Sequence, residues 1–429
     1  MNFGEAEEYL FSLGNEVDTM KLGLANITTL LAALGSPQTV YPKVQIAGTN
    51  GKGSVCAFLN SICLQAGIKT GMYTSPHLIS IRERIKTAGS DISEEDFARL
   101  ATRIREMAES LVAGRVIDIV PTFFEQVTAI ALLAFAESKV ELAILETGLG
   151  GRLDATTAAE ADVAVITRID LDHQEYLGNT IEEIAAEKSA IIREDSSVVI
   201  GAQGPEAFRV LRDHCEALGV RPSDEIYSKW TVSADGPDTV KVNTTRHISE
   251  GAALGLKGRH QIENAETAIN AVKVLRYEMG FDIDVDQILD GLEKARHPGR
   301  LEQIGNFILD GAHNPAGAAA LRDYLVEFVE PPITLIFGAM RDKSAREMLD
   351  VLVPLADLII LTKPDNTRAL EPKALRGMLP EGIAVALTDT VEEAIHHAAG
   401  AAGNGIIAVT GSLYLVGEAK RIMEEHTAI

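Results

Sequence analysis

Cysteine is scarce in this chain of 429 residues, which has only Cys56, Cys63 and Cys215. Three cysteines at these spacings predict neither a disulfide framework nor a zinc site built on thiolates. Cys56 and Cys63 lie seven positions apart in a predicted helix. We therefore expect both side chains to face the hydrophobic core.

Basic residues are also outnumbered, with 39 Lys and Arg against 62 Asp and Glu and a net charge of -23. A surface of this sign repels nucleic acid and anionic membranes, so we expect neither as a partner. It also repels small anions such as nucleotides. An anionic substrate would therefore have to be received locally, by metal ions and a few well-placed cations.

Long hydrophobic runs are missing as well. The longest apolar stretches, such as Ala129–Ala136 and Ile406–Thr410, fall well short of the roughly 20 residues that a membrane-spanning helix needs. The N-terminal stretch MNFGEAEEYLFSLGNEVD carries acids where a signal peptide would carry Lys or Arg. We therefore expect a cytoplasmic protein.

Strand-like apolar runs alternate with helical patterns along nearly the whole chain, which predicts α/β domains with mostly parallel sheets covered by helices. The chain is longer than one usual domain, and the Pro–Gly pair in Arg296–Arg300 marks the boundary. We predict an N-terminal domain of residues 1–296 with a P-loop, and a smaller Rossmann-like domain of residues 297–429. The candidate strands are Val44–Ala47, Leu142–Glu146, Val163–Ile169, Ser197–Gly201, Phe307–Asp310, Ile333–Phe337, Leu358–Leu361 and Ile406–Val409.

The clearest helical patterns cover residues 53–66, 122–136 and 261–277. Ser93, followed three residues later by Asp96, is typical of a helix start. The region from Asp213 to Glu250 has few strong periodicities, and no element is predicted there.

A glycine-rich segment, Gly48-Thr49-Asn50-Gly51-Lys52-Gly53-Ser54, follows the strand VQIA and opens a helix. Closely spaced glycines let backbone N–H groups turn toward a phosphate, and the helix N-terminus adds positive potential. Lys52 can reach the β- and γ-phosphates, and the Ser54 hydroxyl is placed as a metal ligand. A tight turn with an incidental lysine is the alternative. The segment alone predicts nucleotide binding, which a kinase, a GTPase-like switch and a ligase would share.

An acid and a histidine stand at the ends of two predicted strands. Glu146 ends LAILE, and the C-terminal ends of parallel strands are where open α/β sheets bind ligands. Glu146 and Ser54 form a candidate magnesium pair because Mg²⁺ prefers oxygen ligands; a capping or ion-paired Glu146 is the alternative. His173 follows the next strand, close to three acids. It is either a ligand or a solvated side chain.

Lys188 is predicted to be buried. In the segment IEEIAAEKSAII the apolar residues recur at three- and four-residue spacing, and Lys188 falls on their face. A buried ammonium is costly without a partner. Lys188 is therefore either paired with a carboxylate or chemically altered.

A series of longer motifs is distributed over nearly the whole chain: KLGLANITTLLAALGSPQ, AGTNGKGSV, YTSPHLISIRERI, TFFEQVTAIA, ETGLGGRLDAT, ITRIDLDHQEYLGNTIEEIAAEKSAII, GRHQIENAETAI, HPGRLE, DGAHNPAG, FGAMRDK and TGSLYLVGE. Together they resemble the folylpolyglutamate synthase/dihydrofolate synthase family, within the wider group of Mur-type amide ligases.

The resemblance implies roles for the matching residues. Gly48–Ser54 would bind the ATP phosphates. Ser75 and Glu146 would bind one Mg²⁺, and His173 and a carbamylated Lys188 a second. The implied nucleotide contacts beyond the loop are Asn264 at the adenine, Arg300 at a phosphate, Asp310 at the ribose, and His313. The implied folate-binding residues are Thr122, Phe123, Phe124, Glu125, Leu153, Asp154 and Ala155, although Phe123 and Phe124 are equally explained as core aromatics.

The implied reaction is ATP-dependent ligation of L-glutamate to a folate or dihydropteroate carboxylate through an acyl phosphate. Lys52, His173 and Lys188 would be the catalytic residues, ATP the co-substrate and Mg²⁺ the cofactor, with small molecules as the partners and a monomer as the active form. ATP would be bound by residues on both sides of the domain boundary. Two alternatives stay open: another Mur-type ligase acting on a cell-wall or cofactor precursor, and a nucleotide-binding module that does not ligate.

Overall fold

The computed structural model describes residues 1–14, 23–223, 231–236, 238–243 and 251–427, so the first two residues of the KLGLANITT motif lie outside the described residues. The chain divides into two compact units. Unit 1 comprises Met1–Asp235, Thr239–Ala253 and Glu263–Ala295, and unit 2 comprises Gly236–Asp238, Leu254–Ile262 and Arg296–Ile429. Unit 2 thus includes two short segments that the predicted division at residue 296 assigns to the N-terminal domain.

Unit 1 is built on a mostly parallel sheet. Its seven strands are β1 (Lys43–Ala47), β2 (Thr70–Tyr73), β3 (Ile85–Thr87), β4 (Ser90–Asp91), β5 (Leu142–Glu146), β6 (Val163–Ile166) and β7 (Ser197–Ile200). They are arranged in the order β4-β3-β2-β5-β1-β6-β7. The five from β2 to β7 in this order are parallel, and β3 and β4 pair antiparallel at one edge. Every residue of β1 and β5 is buried, because helices cover both faces.

The helices of unit 1 are α1 (Phe3–Ser12), α2 (Ala25–Ala33), α3 (Lys52–Gln65), α4 (Glu94–Ala113), α5 (Phe123–Glu137), α6 (Gln174–Leu177), α7 (Ile181–Ser189), α8 (Pro205–Leu218), α9 (His260–Tyr277, in this unit from Glu263) and α10 (Val285–Lys294). Cys56 and Cys63 of α3 are both fully buried, which confirms the predicted core face. Ser93 caps α4 by accepting from Asp96 N, which confirms the predicted helix start.

Two predicted boundaries are wrong. The strand predicted to reach Ile169 ends at Ile166, because the Thr167 hydroxyl turns to donate to Asn50 O at 2.8 Å. The helical segment predicted through Ile192 ends at Ser189. Ile191 and Ile192 are nevertheless buried, so their apolar character reflects core packing rather than helix periodicity.

A small antiparallel sheet, β8 (Thr231–Ala234), β9 (Thr239–Asn243) and β10 (Ala252–Ala253), lies partly in the region of weak periodicity. No strand was predicted there. These strands are short, and a two- to five-residue alternation is too brief to register as a pattern.

Unit 2 contains a six-stranded sheet in an α/β arrangement. Its strands are β11 (Glu302–Ile304), β12 (Phe307–Leu309), β13 (Ile333–Phe337), β14 (Leu358–Leu361), β15 (Val385–Leu387) and β16 (Ile406–Thr410). Their order is β11-β12-β16-β13-β14-β15, and all neighbours are parallel except β11 and β12. Its helices are α11 (Pro315–Phe328), α12 (Ala345–Leu352), α13 (Pro372–Arg376), α14 (Val391–Ala401) and α15 (Leu413–Thr427).

Both sheets have the predicted α/β architecture. In unit 1 the carboxyl ends of β1, β2, β5 and β6 lie side by side at one edge of the sheet, which is the usual ligand position in open parallel sheets. Across the described ranges, no helix is long and apolar enough to cross a membrane.

Candidate active site

The loop Gly48–Gly51 between β1 and α3 is held by the segment that follows β6. The N–H groups of Thr49 and Asn50 both donate to Arg168 O, at 2.9 and 3.1 Å. The Thr49 hydroxyl donates to Asp170 O at 3.0 Å, and Asn50 Nδ2 donates to Asp170 Oδ2 at 2.9 Å. Asp170 received no role from the sequence, although it lies inside the ITRIDLDHQ motif.

Two glycines of this loop cannot be replaced without strain. Gly48 and Gly51 have φ values of 154° and 88°, in the region that favours glycine. A Cβ atom on Gly48 would overlap Thr167 Oγ1, and one on Gly51 would overlap Asn264 Oδ1. The predicted adenine contact Asn264 therefore lies directly against the loop.

Two lysines meet on one backbone oxygen. Lys52 Nζ donates to Gly48 O at 3.0 Å and to Thr49 O at 3.2 Å. Lys188 Nζ donates to the same Gly48 O at 2.9 Å. Lys188 is only 4% exposed, which confirms its predicted burial. Its hydrogen bond goes to a carbonyl rather than to a carboxylate.

The pKa of Lys188 is lowered to about 7, first by burial and then by the positive charge of Lys52. Asp172 and Asp154 act in the opposite direction without cancelling the effect. A large fraction of the Lys188 amine is therefore neutral near pH 7 and can act as a nucleophile.

Glu146 stands at the end of β5, 5% exposed, beside the end of β2. Its Oε2 accepts the Ser75 N–H at 3.1 Å. Ser54 is buried in the first turn of α3. In the described parts of the chain, no three His, Cys, Asp or Glu side chains converge closely enough to hold a metal ion. Magnesium bound with a nucleotide takes only one or two carboxylates from the protein, and the Glu146 carboxylate is an oxygen ligand of the kind it prefers.

His173 lies in the turn that begins α6, with a φ of 49°. Its N–H donates to Asp172 Oδ1 at 2.8 Å, and its ring Nε2 lies 3.9 Å from Asp172 Oδ2. The side chain is partly exposed, so a ligand can reach it. Asp172, one of the acids near His173 in the sequence, thus binds the backbone N–H of the histidine.

The predicted folate segment Thr122–Glu125 forms the start of α5. The Glu125 carboxylate accepts the Thr122 N–H at 2.8 Å, and Thr122 Oγ1 accepts the Glu125 N–H at 3.3 Å, which is a capping box. Phe123 is only 2% exposed and stacks on Phe11 with ring centroids 5.7 Å apart. Phe124 is half-buried, and it lies so close to Gly148 that a Cβ atom there would overlap its ring. Of the two phenylalanines, Phe124 is the more accessible.

The second predicted folate segment, Leu153–Ala155, is organised by the buried carboxylate of Asp154. It accepts the N–H groups of Leu149 and Thr156 at 2.9 and 3.0 Å, and the Thr156 hydroxyl donates to it as well. Burial raises the pKa of Asp154. The side chain thus holds the loop that follows Glu146.

A histidine–arginine pair lies close to Ser75 in the chain, with Arg84 buried and His77 half-buried. Arg84 Nε donates to His77 Nδ1 at 2.7 Å, and the Arg84 guanidinium carbon lies 5.3 Å from the centroid of the Phe123 ring. Burial, and then the charge of Arg84, lowers the pKa of His77 to about 3. Neither residue was predicted to have a role. The only sequence signal was their presence in the YTSPHLISIRERI motif.

Within unit 2, two predicted nucleotide contacts, Asp310 and His313, follow β12, and the third, Arg300, precedes β11. The Asp310 carboxylate accepts the N–H groups of Leu301 and Ala312, both at 3.0 Å. His313 Nδ1 lies 2.8 Å from Gly311 O. Burial raises the pKa of Asp310, and the charge of Arg300 opposes that shift. The Asp310 carboxylate thus joins the backbone before β11 to the backbone after β12.

Comparison with known proteins agrees with this arrangement. The Mur ligase middle domain matches residues 46–272, and the Mur ligase, glutamate ligase domain matches residues 299–413. The chain is 35% identical to a Bacillus subtilis dihydrofolate synthase/folylpolyglutamate synthase over 94% of this chain and 95% of that protein. It is 34% identical to a Halobacterium salinarum probable bifunctional folylpolyglutamate synthase/dihydropteroate synthase over 98% of this chain, but it spans only 51% of that relative.

The fold matches as well. A crystal structure of Mycobacterium tuberculosis folylpolyglutamate synthase, complexed with ADP and AMPPCP, superposes with a TM-score of 0.88 at 31% identity, covering 98% of both chains. Both domain models, the relatives and the superposed structure point to one group of enzymes. The chain therefore belongs to the Mur ligase family, and within it to the folylpolyglutamate synthase/dihydrofolate synthase group.

Proposed function

We propose that this chain joins L-glutamate to a folate-type carboxylate, with ATP converted to ADP and phosphate. Both tetrahydrofolate-type acceptors and dihydropteroate would be used. The observation that carries the proposal is the meeting of two lysines on the Gly48 carbonyl beside the buried, strand-end Glu146. Together with family membership, this supports a triphosphate site at one edge of the sheet, with Lys52 as its cation and Glu146 as an oxygen donor for its metal.

The reaction would proceed in two steps. An oxygen of the acceptor carboxylate attacks the γ-phosphorus, the bond from that phosphorus to the β–γ bridging oxygen breaks, and ADP leaves. The glutamate amine then attacks the acyl carbon and loses a proton, and inorganic phosphate departs as the amide forms. No side chain has to serve as a covalent nucleophile. Catalysis of this type depends on positioning and on stabilising charge.

The residues of the chain would divide this work. The N–H groups of the Gly48–Ser54 loop and of the first turn of α3 bind phosphate oxygens, and Lys52 offsets charge on the transferring group. Asn264, Arg300, Asp310 and His313 remain proposed nucleotide contacts. Thr122–Glu125 and Leu153–Ala155 remain proposed contacts of the acceptor ring, with Phe124 as its more accessible aromatic.

Ser75, Glu146 and Ser54 would hold Mg²⁺, which when bound supplies charge neutralisation to the phosphates. We propose His173 and Lys188 for a second ion, with Lys188 carbamylated. The neutral amine of Lys188 attacks CO₂ and loses a proton, which replaces a cation with a carboxylate. This change supports metal binding, because an ammonium would repel the ion. A ¹³C signal of a carbamate from protein incubated with ¹³C-bicarbonate, absent in Lys188→Arg, tests the modification.

The activity is tested by mass spectrometry of products after incubation with ATP, glutamate and one acceptor at a time. Tetrahydrofolate and dihydropteroate should each gain one or more glutamyl residues. A muramoyl nucleotide serves as the acceptor that a different Mur-type ligase would prefer. ATP hydrolysis that does not depend on the amino acid, with no amide product, would contradict the proposal and favour a nucleotide-binding module.

A further inference from the structure

The His77–Arg84 pair connects two parts of the proposed site that are distant in the sequence. β3 begins at Ile85, which pairs with Tyr73 of β2, and Thr74 N donates to Arg84 O at 3.0 Å. The backbone of Arg84 is therefore fixed beside the end of β2, one residue before Ser75. Its side chain extends from there to His77 and to the ring of Phe123.

The turn that carries Arg84 is rigid for local reasons. Residues Ile81–Arg84 form a single 3₁₀ turn capped by Ser80. The Glu83 carboxylate accepts the N–H groups of Leu78, Ile79 and Ser80 at 2.7 to 2.9 Å. Glu83 is thus engaged with the backbone of the preceding loop. The Arg84 side chain packs inward from this turn and is only 3% exposed.

Phe123 is enclosed between this cation and a second aromatic ring. Arg84 lies 5.3 Å from the Phe123 centroid, and Phe11 stacks on Phe123 at 5.7 Å with an interplanar angle of 16°. The Phe11 ring also lies 6.3 Å from the His77 ring, and Phe11 is 50% exposed. A planar guanidinium stacks on an aromatic face in a way that an ammonium does not reproduce.

We propose that Arg84 is a positioning residue of the acceptor site, which holds the segment Thr122–Glu125 at a set distance from the strand end at Ser75. The inference rests on the proposed function, in which the acceptor ring contacts the first segment and its carboxylate is activated near the second. Arg84 acts through Phe123 and His77 rather than through the reacting atoms. Its loss would therefore alter acceptor binding and leave the phosphate loop unchanged.

The test compares Arg84→Lys with Arg82→Lys in the full chain. Arg82 lies in the same turn but faces Phe3, 5.9 Å from its ring centroid, and Glu94. Arg84→Lys keeps the charge and loses the planar fork, so we expect the acceptor KM to rise about tenfold or more. The KM for ATP and the kcat at saturating acceptor should stay within about twofold, because the fork acts through His77 and Phe123. Arg82→Lys should change none of these constants.

A second pair of variants tests the same contact if Arg84→Lys folds poorly. His77→Asn retains an acceptor near the position of Nδ1, whereas His77→Leu removes it. We expect the rise in acceptor KM to be several-fold smaller for His77→Asn than for His77→Leu. If each variant raises the KM for ATP by the same factor as the KM for the acceptor, the role of the pair is purely structural and the inference is overturned.

The two levels of failure are distinguishable. If the wild-type chain glutamylates no folate-type acceptor, the proposed function fails and the inference fails with it. If the wild-type chain is active and Arg84→Lys leaves the acceptor KM unchanged, only the positioning role is refuted.

Discussion

Lys52 and Lys188 donate to the same backbone oxygen, the carbonyl of Gly48, at 3.0 and 2.9 Å. Two ammonium groups on one carbonyl repel each other, and the deeper of them, Lys188, has a lowered pKa as a result of burial and of that neighbour. In a chain with a net charge of -23, Lys52 thus brings a positive charge to the glycine loop, and the neighbouring Lys188 amine loses its proton more readily than an ordinary lysine.

Stability should depend on pH through Lys188. Its pKa is about 7 in the folded chain and 10.5 as its ordinary value, so below pH 7 the folded state carries a buried charge that costs free energy. The cost falls as pH rises from 7 to 10.5, because the unfolded chain then binds a proton that the folded chain does not. Lys188→Met lacks this cost. Its advantage in the free energy of unfolding should shrink by about 1.4 kcal/mol per pH unit across that window.

Urea denaturation of both proteins in buffer free of CO₂ and divalent ions measures this difference. Taking the difference in the free energy of unfolding between the two proteins cancels the contributions of the other titrating groups. A difference that stays constant from pH 7 to 10 would mean that the folded amine is not perturbed.

Lys52→Met should lower kcat/KM by at least about a hundredfold, because a preorganised cation at the transferring phosphoryl group is lost. Phosphate release in the presence of acceptor and glutamate is the measurement. Lys69→Met is the control, since Lys69 is exposed and donates to Ser138 O. Unchanged ATP consumption by Lys52→Met would refute the assignment of the loop.

Gly51→Ala should destabilise unit 1 through the contact with Asn264. Gly35 is a matched control, because its φ of 85° is close to the 88° of Gly51 and open space surrounds its Cβ position. Gly51→Ala should cost about 1–3 kcal/mol more than Gly35→Ala in the free energy of unfolding. Adding Asn264→Ala should recover part of that cost; no recovery would locate the strain elsewhere.

Asp170→Ala should weaken ATP binding without affecting the acceptor. The substitution removes the acceptor of Asn50 Nδ2 and loosens the loop, so we expect the KM for ATP to rise about fivefold to tenfold. Asp195→Ala is the control, since Asp195 pairs with Arg193 at an exposed site. A rise in the acceptor KM of equal size would indicate a general loss of structure instead.

The α/β class, the glycine loop after β1 and the burial of Lys188 were predictable because each depends on a pattern of residues that are close together in the sequence. Strand, glycine loop and helix follow one another directly at Lys43–Gln65, and the apolar spacing around Lys188 spans about three helical turns. Such local patterns limit the backbone before any tertiary contact forms.

Short strands and helix ends were less predictable. β6 ends at Ile166 because Thr167 and Asp170 form hydrogen bonds with the loop after β1 instead of extending the strand. The residues that form these bonds lie more than a hundred positions apart in the sequence. The strands β8–β10 were not predicted for a simpler reason: alternation of polar and apolar residues over two to five positions is too short to distinguish a strand from a loop.

Residue order alone was thus enough to indicate the strand, glycine loop and helix over Lys43–Gln65, since that pattern lies in neighbouring residues. Packing decided what the side chains contact. It brought Lys52 and Lys188 to one carbonyl, Asp170 to Asn50, and Arg84 to both His77 and Phe123. Hydrogen bonds and stacking between residues so far apart depend on strand order and helix packing, which no local spacing encodes.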